Sequence, residues 1–158
     1  MKSLALNLAI ASIWLLLSES PTPWAFAAGF LLGFVLIAMF RHVLGSETYV
    51  RRSLGLIRFF GVFLYEFLVA NLKVAFAILF RSRESLYPRL VRYETRGLEP
   101  LEILILSYCV TLTPGTTVVQ ISDDFQFLIL HALDARDPNR LRQSVDQSLK
   151  EAILRFMR

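Results

Sequence analysis

Few side chains in this sequence have the chemistry to move a proton, hold a metal ion or attack a substrate. His42 follows Arg41 and His131 lies in an apolar run, and neither has a second His or Cys at metal-ligand spacing. Both read as interfacial or hydrogen-bonded structural residues. Asp123 and Asp124 are adjacent, so in a strand they would point to opposite faces, which argues against a paired acid/base or a cation site. Ser122-Asp123-Asp124 reads as a turn instead. The serines and threonines around Pro114 have no histidine base in view, and the single Cys109 excludes both an intrachain disulfide framework and a multi-cysteine metal site. Cys109 reads as a small buried hydrophobe. No glycine-rich phosphate loop, nucleophile elbow or zinc-protease pattern occurs. The chain is therefore read as a non-enzyme, with no catalytic residue, no cofactor and no metal.

The remaining ionisable residues of interest sit in apolar surroundings. Arg58, Glu66 and Lys73, with Tyr65, lie within about 100° of one another at 100° per residue, forming one polar stripe on an otherwise apolar segment. Glu66 reads as a counter-ion to Lys73 or Arg58, or as a contact with another protein of a complex. An ion relay would need a second acid or a histidine nearby, and the sequence places none there.

The elements that carry these residues follow from composition. Of the 158 residues, 55% are hydrophobic, against about 45–50% in a typical soluble domain, and the mean hydropathy is +0.53. Residues 1–80 hold six Lys/Arg and three Asp/Glu, and residues 81–158 hold eleven and ten. A membrane part of residues 1–80 is thus followed by a water-soluble domain at 86–158, with the boundary near 81–88. The net charge of +4 comes mostly from the membrane part. It suits anionic lipid head groups rather than nucleic acid, for which no aromatic-interleaved basic stripe exists.

Helices are expected at about 4–17, 22–40 and 54–80. The first could be a signal-peptide apolar region, but "SESPTPW" lacks a small-x-small cleavage pattern and a second apolar segment follows at once. Ser20-Pro21-Thr22-Pro23 breaks the helix, so the first two segments form a tight hairpin, and Gly29-x-x-x-Gly33 would permit close approach. Lys2, Arg41, Arg51 and Arg52 flank the hairpin ends and place them in the cytoplasm, with the turn outside.

The third segment, about 40 Å long as a helix, is longer than a perpendicular span needs. Spanning would also carry Arg81, Arg83, Arg89, Arg92 and Arg96 outside. Two readings stand, a helix lying in or obliquely entering the cytoplasmic interface and a true span with its polar stripe facing protein; the charges favour the first.

In the C-terminal part, "RLVRYETR" suits a short strand and Pro100–Leu112 a helix. "TTVVQIS" and "FQFLILHAL" read as a hairpin around Ser122-Asp123-Asp124. Asp137-Pro138 caps an amphipathic helix with apolar positions Leu141, Val145, Leu149, Ile153 and Phe156. The expected fold class is a membrane protein: a helical N-terminal part, hairpin plus a third amphipathic or tilted helix, with a small C-terminal α+β cytoplasmic domain of order β-α-β-β-α. Roughly 70 residues is near the lower limit for independent stability, so the domain is expected to lean on the membrane part or on partners.

Within this pattern "SYCVTLTPGT", Ser107 to Thr116, stands out. Pro114 stops the helix, Gly115 suits the third position of a type II turn, and the Thr113 hydroxyl can meet a group left open at the helix end. With the membrane hairpin, the third apolar helix, the length and this S-x-x-x-T-x-T-P-G-T run, the chain resembles the MrpE/MnhE/PhaE-like component of the multisubunit Mrp-type cation/proton antiporters. The resemblance implies a multi-pass protein of the cell membrane that takes part in exchange of Na+ or K+ for protons only within a complex. Its implied role is accessory, supporting assembly, stability and activity alongside other membrane subunits and lipids. Thr113, Pro114, Gly115 and Thr116 are the implied assembly motif. The competing reading is a self-sufficient membrane-anchored binding or regulatory module.

Overall fold

In the computed structural model, which describes residues 2–82 and 85–158, the chain folds as two compact units, Met1–Leu54 and Gly55–Arg158. Arg83, and with it part of the boundary expected at 81–88, lies outside the described residues.

The first unit opens with α1 (Lys2–Leu17) and α2 (Pro23–Met39). Thr22 caps α2, its Oγ1 accepting the Ala25 N–H at 3.2 Å, and Pro23 takes the first turn, where a missing N–H costs nothing. The two helices run antiparallel. A Cβ added at Gly29 would lie 2.7 Å from Trp14 Cβ, and one at Gly33 would lie 2.3 Å from Asn7 Oδ1. Both glycines are buried, so their spacing serves close helix contact as the sequence suggests. Asn7, fully buried, donates from Nδ2 to Tyr49 Oη at 2.8 Å, and Ser3 and Ser46 hydroxyls meet at 2.9 Å.

Replacing Gly33 by Ala should therefore displace Asn7 and destabilise the hairpin by about 1–3 kcal/mol, as overpacking does. Gly61, whose added Cβ would face open space, is the control. Gly61→Ala should be neutral or stabilising by about 0.5–1 kcal/mol, because alanine loses less backbone entropy in a helix. Thermal melts of the two variants in detergent would check the opposite signs.

Helix α3 (Glu47–Phe80) is 34 residues, roughly 51 Å, and starts seven residues before the expected Leu54. Apolarity marks only part of a helix, and the polar Arg51 and Arg52 continue the same backbone ladder. The helix opens where the Ser46 carbonyl accepts the Val50 N–H at 3.1 Å. Among the described helices it alone is long and apolar enough to cross a membrane; α1 and α2 are shorter.

The second unit is built on a three-stranded antiparallel sheet of order β1-β3-β2: β1 (Arg89–Glu94), β2 (Thr116–Ile121) and β3 (Phe127–Ala132). The Val118/Gln120 register shift leaves Val119 as a bulge on the edge strand. Alternation along β3 buries Leu128, Leu130 and Ala132 on one face and leaves His131 exposed.

Helix α4 (Pro100–Leu112) contributes Ile103, Leu106 and Val110 to the core with Leu128 and Leu130. The C-terminal helix runs as α5 (Pro138–Val145), a π turn (Asp146–Lys150) and α6 (Glu151–Met157). Asp137 caps it by accepting the Asn139 and Arg140 N–H groups, and Val145, Leu149 and Ile153 are buried as their periodicity requires. The strand, helix, hairpin and helix order matches the sequence reading.

The compact division differs from the compositional one. Phe59, Val62 and Phe63 of α3 belong to the same core as Tyr93, Ile103 and Ile153, and Phe59 stacks on Phe156 with centroids 5.7 Å apart. Thus the part of α3 from Gly55 onward is packed into the C-terminal unit, beginning where Gly55 brings the Phe156 backbone within 3.0 Å of an added Cβ. Contact recurs further along the helix at Val74, which would meet a Cβ at Gly115 at 3.1 Å.

Candidate functional site

The Thr113-Pro114-Gly115-Thr116 turn is built by helix termination. Thr113 leaves the helical conformation at φ −81°, ψ 113°, the extended region that a following proline demands. Its N–H still reaches Cys109 O at 3.1 Å, and its Oγ1 donates to the same carbonyl at 2.8 Å. Thr116 Oγ1 lies 2.9 Å from Val110 O and 3.1 Å from Thr113 O, so two threonine hydroxyls add second hydrogen bonds to the last carbonyls of the helix, Cys109 O and Val110 O, which share the Thr113 N–H. Gly115 has φ +92°, as the third residue of a type II turn requires, and Thr116 N–H closes the turn on Thr113 O at 3.3 Å. Gly115 O then accepts Leu133 N–H at 2.8 Å, tying the turn to the chain just beyond β3.

This turn forms one end of a cavity of about 790 Å³. Its other walls come from the second half of α3, including Glu66, Ala70, Lys73, Val74 and Ala77, and from Leu141, Ser144, Val145, Ser148 and Leu149 of the C-terminal helix. Arg81 and Asp134 close it with a 2.6 Å ion pair, and Arg136 also contacts Asp134 at 3.3 Å.

The structure thus brings Glu66, Lys73 and Thr113–Thr116 to one cavity; Arg58 is exposed and is not among its lining residues. Neither Lys73 nor Arg58 pairs with Glu66 among the described residues, so of the two roles open to Glu66, counter-ion or contact with another protein of a complex, the first is not formed within the described residues. The reason is spacing. Lys73 is seven residues from Glu66, two turns or roughly 10.5 Å along the axis, and Arg58 is eight residues away, whereas side chains pair at three or four.

The other chemically suggestive residues have structural partners. Asp124 Oδ1 accepts the Gln126 N–H at 3.1 Å in the hairpin turn, and the hydrogen bond with Ser122 holds its carboxyl below the usual range. His42 Nδ1 lies 2.5 Å from Glu47 Oε1 at an exposed position. Cys109 is buried, which pushes its thiol up to about 11 and leaves it inert. No group of three or more His, Cys, Asp or Glu positioned for a metal ion exists among the described residues.

Two arrangements escaped the sequence reading. Tyr93 Oη donates to Asp146 Oδ1 at 2.7 Å, and burial, with this carboxylate beside it, pushes the phenol far up. Glu102, 1% exposed, accepts from Arg158 Nε at 3.1 Å, Arg158 Nη2 at 3.0 Å and the Glu99 N–H at 2.8 Å. Its position three residues after Glu99 at a helix start was a legible capping signal; its partner 56 residues away was not.

Comparison with known proteins agrees with this architecture. Residues 7–156 match the MNHE family, described as Na+/H+ ion antiporter subunit. The chain is 32% identical over 148 residues to the E component of the Na+/H+ antiporter of Bacillus subtilis (strain 168), covering 94% of this chain and 93% of that protein. It is 31% identical over 151 residues to the putative antiporter subunit mnhE2 of Staphylococcus epidermidis, covering 93% and 94%. A chain in the structure of the Mrp complex from Dietzia sp. DQ12-45-1b superposes with a TM-score of 0.50 at 28% identity, covering 61% of this chain and 89% of that one. A chain of the membrane-bound sulfane sulfur reductase, an archaeal respiratory membrane complex, shares the fold at TM-score 0.50 and 24% identity, covering 86% and 85%. A helical hairpin, a long apolar helix, and a small sheet entered through the Thr113-Pro114-Gly115-Thr116 turn are thus carried by a chain that belongs to the MNHE family of Na+/H+ antiporter subunits.

Proposed function

We propose that this chain is an accessory membrane subunit of a multisubunit Mrp-type Na+ (or K+)/H+ antiporter, supporting assembly and stability rather than forming an ion pathway alone. One observation carries the reading. Helix α4 is apolar over most of its circumference, yet only one face meets its own core. Leu101, Leu104, Tyr108 and Leu112, spaced three or four apart, are 42–61% exposed. A stripe of this kind on a folded unit marks a surface that another protein covers, and the complexes in which the relatives occur supply such partners.

Helix α3 adds the membrane side. One face packs into the C-terminal unit, and the opposite face exposes Ile57, Phe60, Leu64 and Leu68 at 53–65%. A helix with a folded domain along one face and an apolar stripe along the other suits the cytoplasmic interface, with that stripe in lipid. A perpendicular span would drag the sheet and its charged edge into hydrocarbon. We assign the crossing of the cell membrane to the α1–α2 hairpin instead, whose 16- and 17-residue helices lie at or just under the roughly 17-residue lower limit of a span, with both ends inside, and the C-terminal unit is cytoplasmic.

Leu104→Glu on the outer face of α4 tests the accessory role. The expected result is loss of the subunit from the purified antiporter assembly while Cys109 stays protected from alkylation, showing that the domain itself remains folded. Normal assembly and normal transport with the variant would contradict it.

A further inference from the structure

Beside the paired Arg81 and Asp134, the cavity next to the Thr113–Thr116 turn is lined by two charged groups without a partner among the described residues. Glu66 is half-buried in its wall, Lys73 lies two turns further along the same helix at the exposed mouth, and among the described residues neither has an ion-pair or hydrogen-bond partner. A carboxylate left unpaired against apolar walls is unfavourable, and a single ion of either sign would satisfy only one of the two groups. A dipolar group carrying both an ammonium and an anion satisfies both. The roughly 10.5 Å separation along the helix leaves room for such a group between the two side chains.

The rest of the cavity is suited to an apolar tail. Val74 and Val110 contribute to walls that are mostly apolar, and the volume of about 790 Å³ is within the roughly 300–1,000 Å³ of small-molecule sites. The π turn Asp146–Lys150 is a second, independent mark. Such single widened turns concentrate at functional sites, and this one lies on the same wall, where Ser144 and Ser148 line the cavity.

We propose that the cavity binds an aminophospholipid of the phosphatidylethanolamine type, its ammonium on Glu66, its phosphate on Lys73 and an acyl chain along the apolar wall. The proposal rests on the interfacial placement of α3, which brings the cavity to the level of the lipid head groups.

The test uses photo-crosslinkable phosphatidylethanolamine and phosphatidylglycerol in membranes containing the assembled antiporter. The ethanolamine probe should label this subunit on α3 and the C-terminal helix, and the glycerol probe several-fold less. Glu66→Gln and Lys73→Gln should each reduce ethanolamine labelling by about tenfold, the loss of one charge-assisted contact. Val74→Trp should block labelling by filling the cavity. Equal labelling by both probes, labelling indifferent to Glu66→Gln, or a segment of another protein crosslinked in the cavity instead would overturn the proposal. A depth measurement with a spin label at Leu64→Cys separates the two ideas: a label at interfacial depth with no lipid selectivity defeats the lipid site alone. A label at the bilayer centre defeats the placement of α3 on which it rests.

Discussion

Replacing Phe59 by alanine should destabilise the C-terminal unit by about 3–5 kcal/mol, the usual effect of deleting a buried phenyl ring. Phe59 is 8% exposed, stacks on Phe156 at 5.7 Å and on Phe63 at 6.4 Å, and joins α3 to the core formed by α4, the sheet and α6. Ile57, two residues earlier on the same helix, is 65% exposed, so Ile57→Ala in the same assay should change stability by no more than about 0.5 kcal/mol. The protein carries its own reporter. Cys109 is the single cysteine and is buried in the same core, so its alkylation rate under native conditions follows opening of the unit. Rapid alkylation in Phe59→Ala and slow alkylation in Ile57→Ala is the expected pair. Equal protection in both would mean that α3 is not part of this core.

The second large effect belongs to Glu102. Its burial alone would raise the carboxyl pKa. The Arg158 hydrogen bonds, the Glu99 N–H and the Arg158 charge outweigh that burial and hold it below its ordinary value of 4.5. A depressed carboxylate contributes stability that is fully present above the unfolded value and is lost as pH falls through the folded one. Glu102→Gln should therefore lower stability at neutral pH by about 1.5–3 kcal/mol, the range for hydrogen bonds to a charged group. It should also flatten the acid limb of the stability curve below about pH 4.5. Arg158→Ala should be at least as damaging at neutral pH, because it leaves the buried charge without its cation, and its penalty should shrink on acidification as Glu102 protonates. Thermal melts across pH 3–8 should show the two variants converging at the acid end.

What the residues declared in advance was local. Pro100, Pro114-Gly115 and Asp137-Pro138 mark helix starts and stops through backbone chemistry that acts within one turn. The Thr113 bond to Cys109 O and the Gly115 φ of +92° follow the same logic. The alternation of Leu128, Leu130 and Ala132 is equally short-range. What stayed hidden depends on partners far apart in the chain. Phe59 is one of many apolar residues on α3, and nothing near it indicates that Phe156 completes its stack. Arg158 reaches Glu102 and Asp146 reaches Tyr93 only once the unit has closed. The π turn has no residue signature at all. A helical projection has the opposite weakness: it places Glu66 and Lys73 on one side and conceals the two turns between them.

The central claim is that α3 lies along the cytoplasmic face with its two ends on one side of the membrane. Single cysteines placed at the exposed position Val43 and at Ser82, each in a Cys109→Ala background, test it most directly when a membrane-impermeant maleimide is applied from either side of sealed vesicles. Labelling of both sites from the cytoplasmic side only is the predicted result. Labelling of Val43→Cys and Ser82→Cys from opposite sides would show that α3 spans the bilayer and would contradict the account.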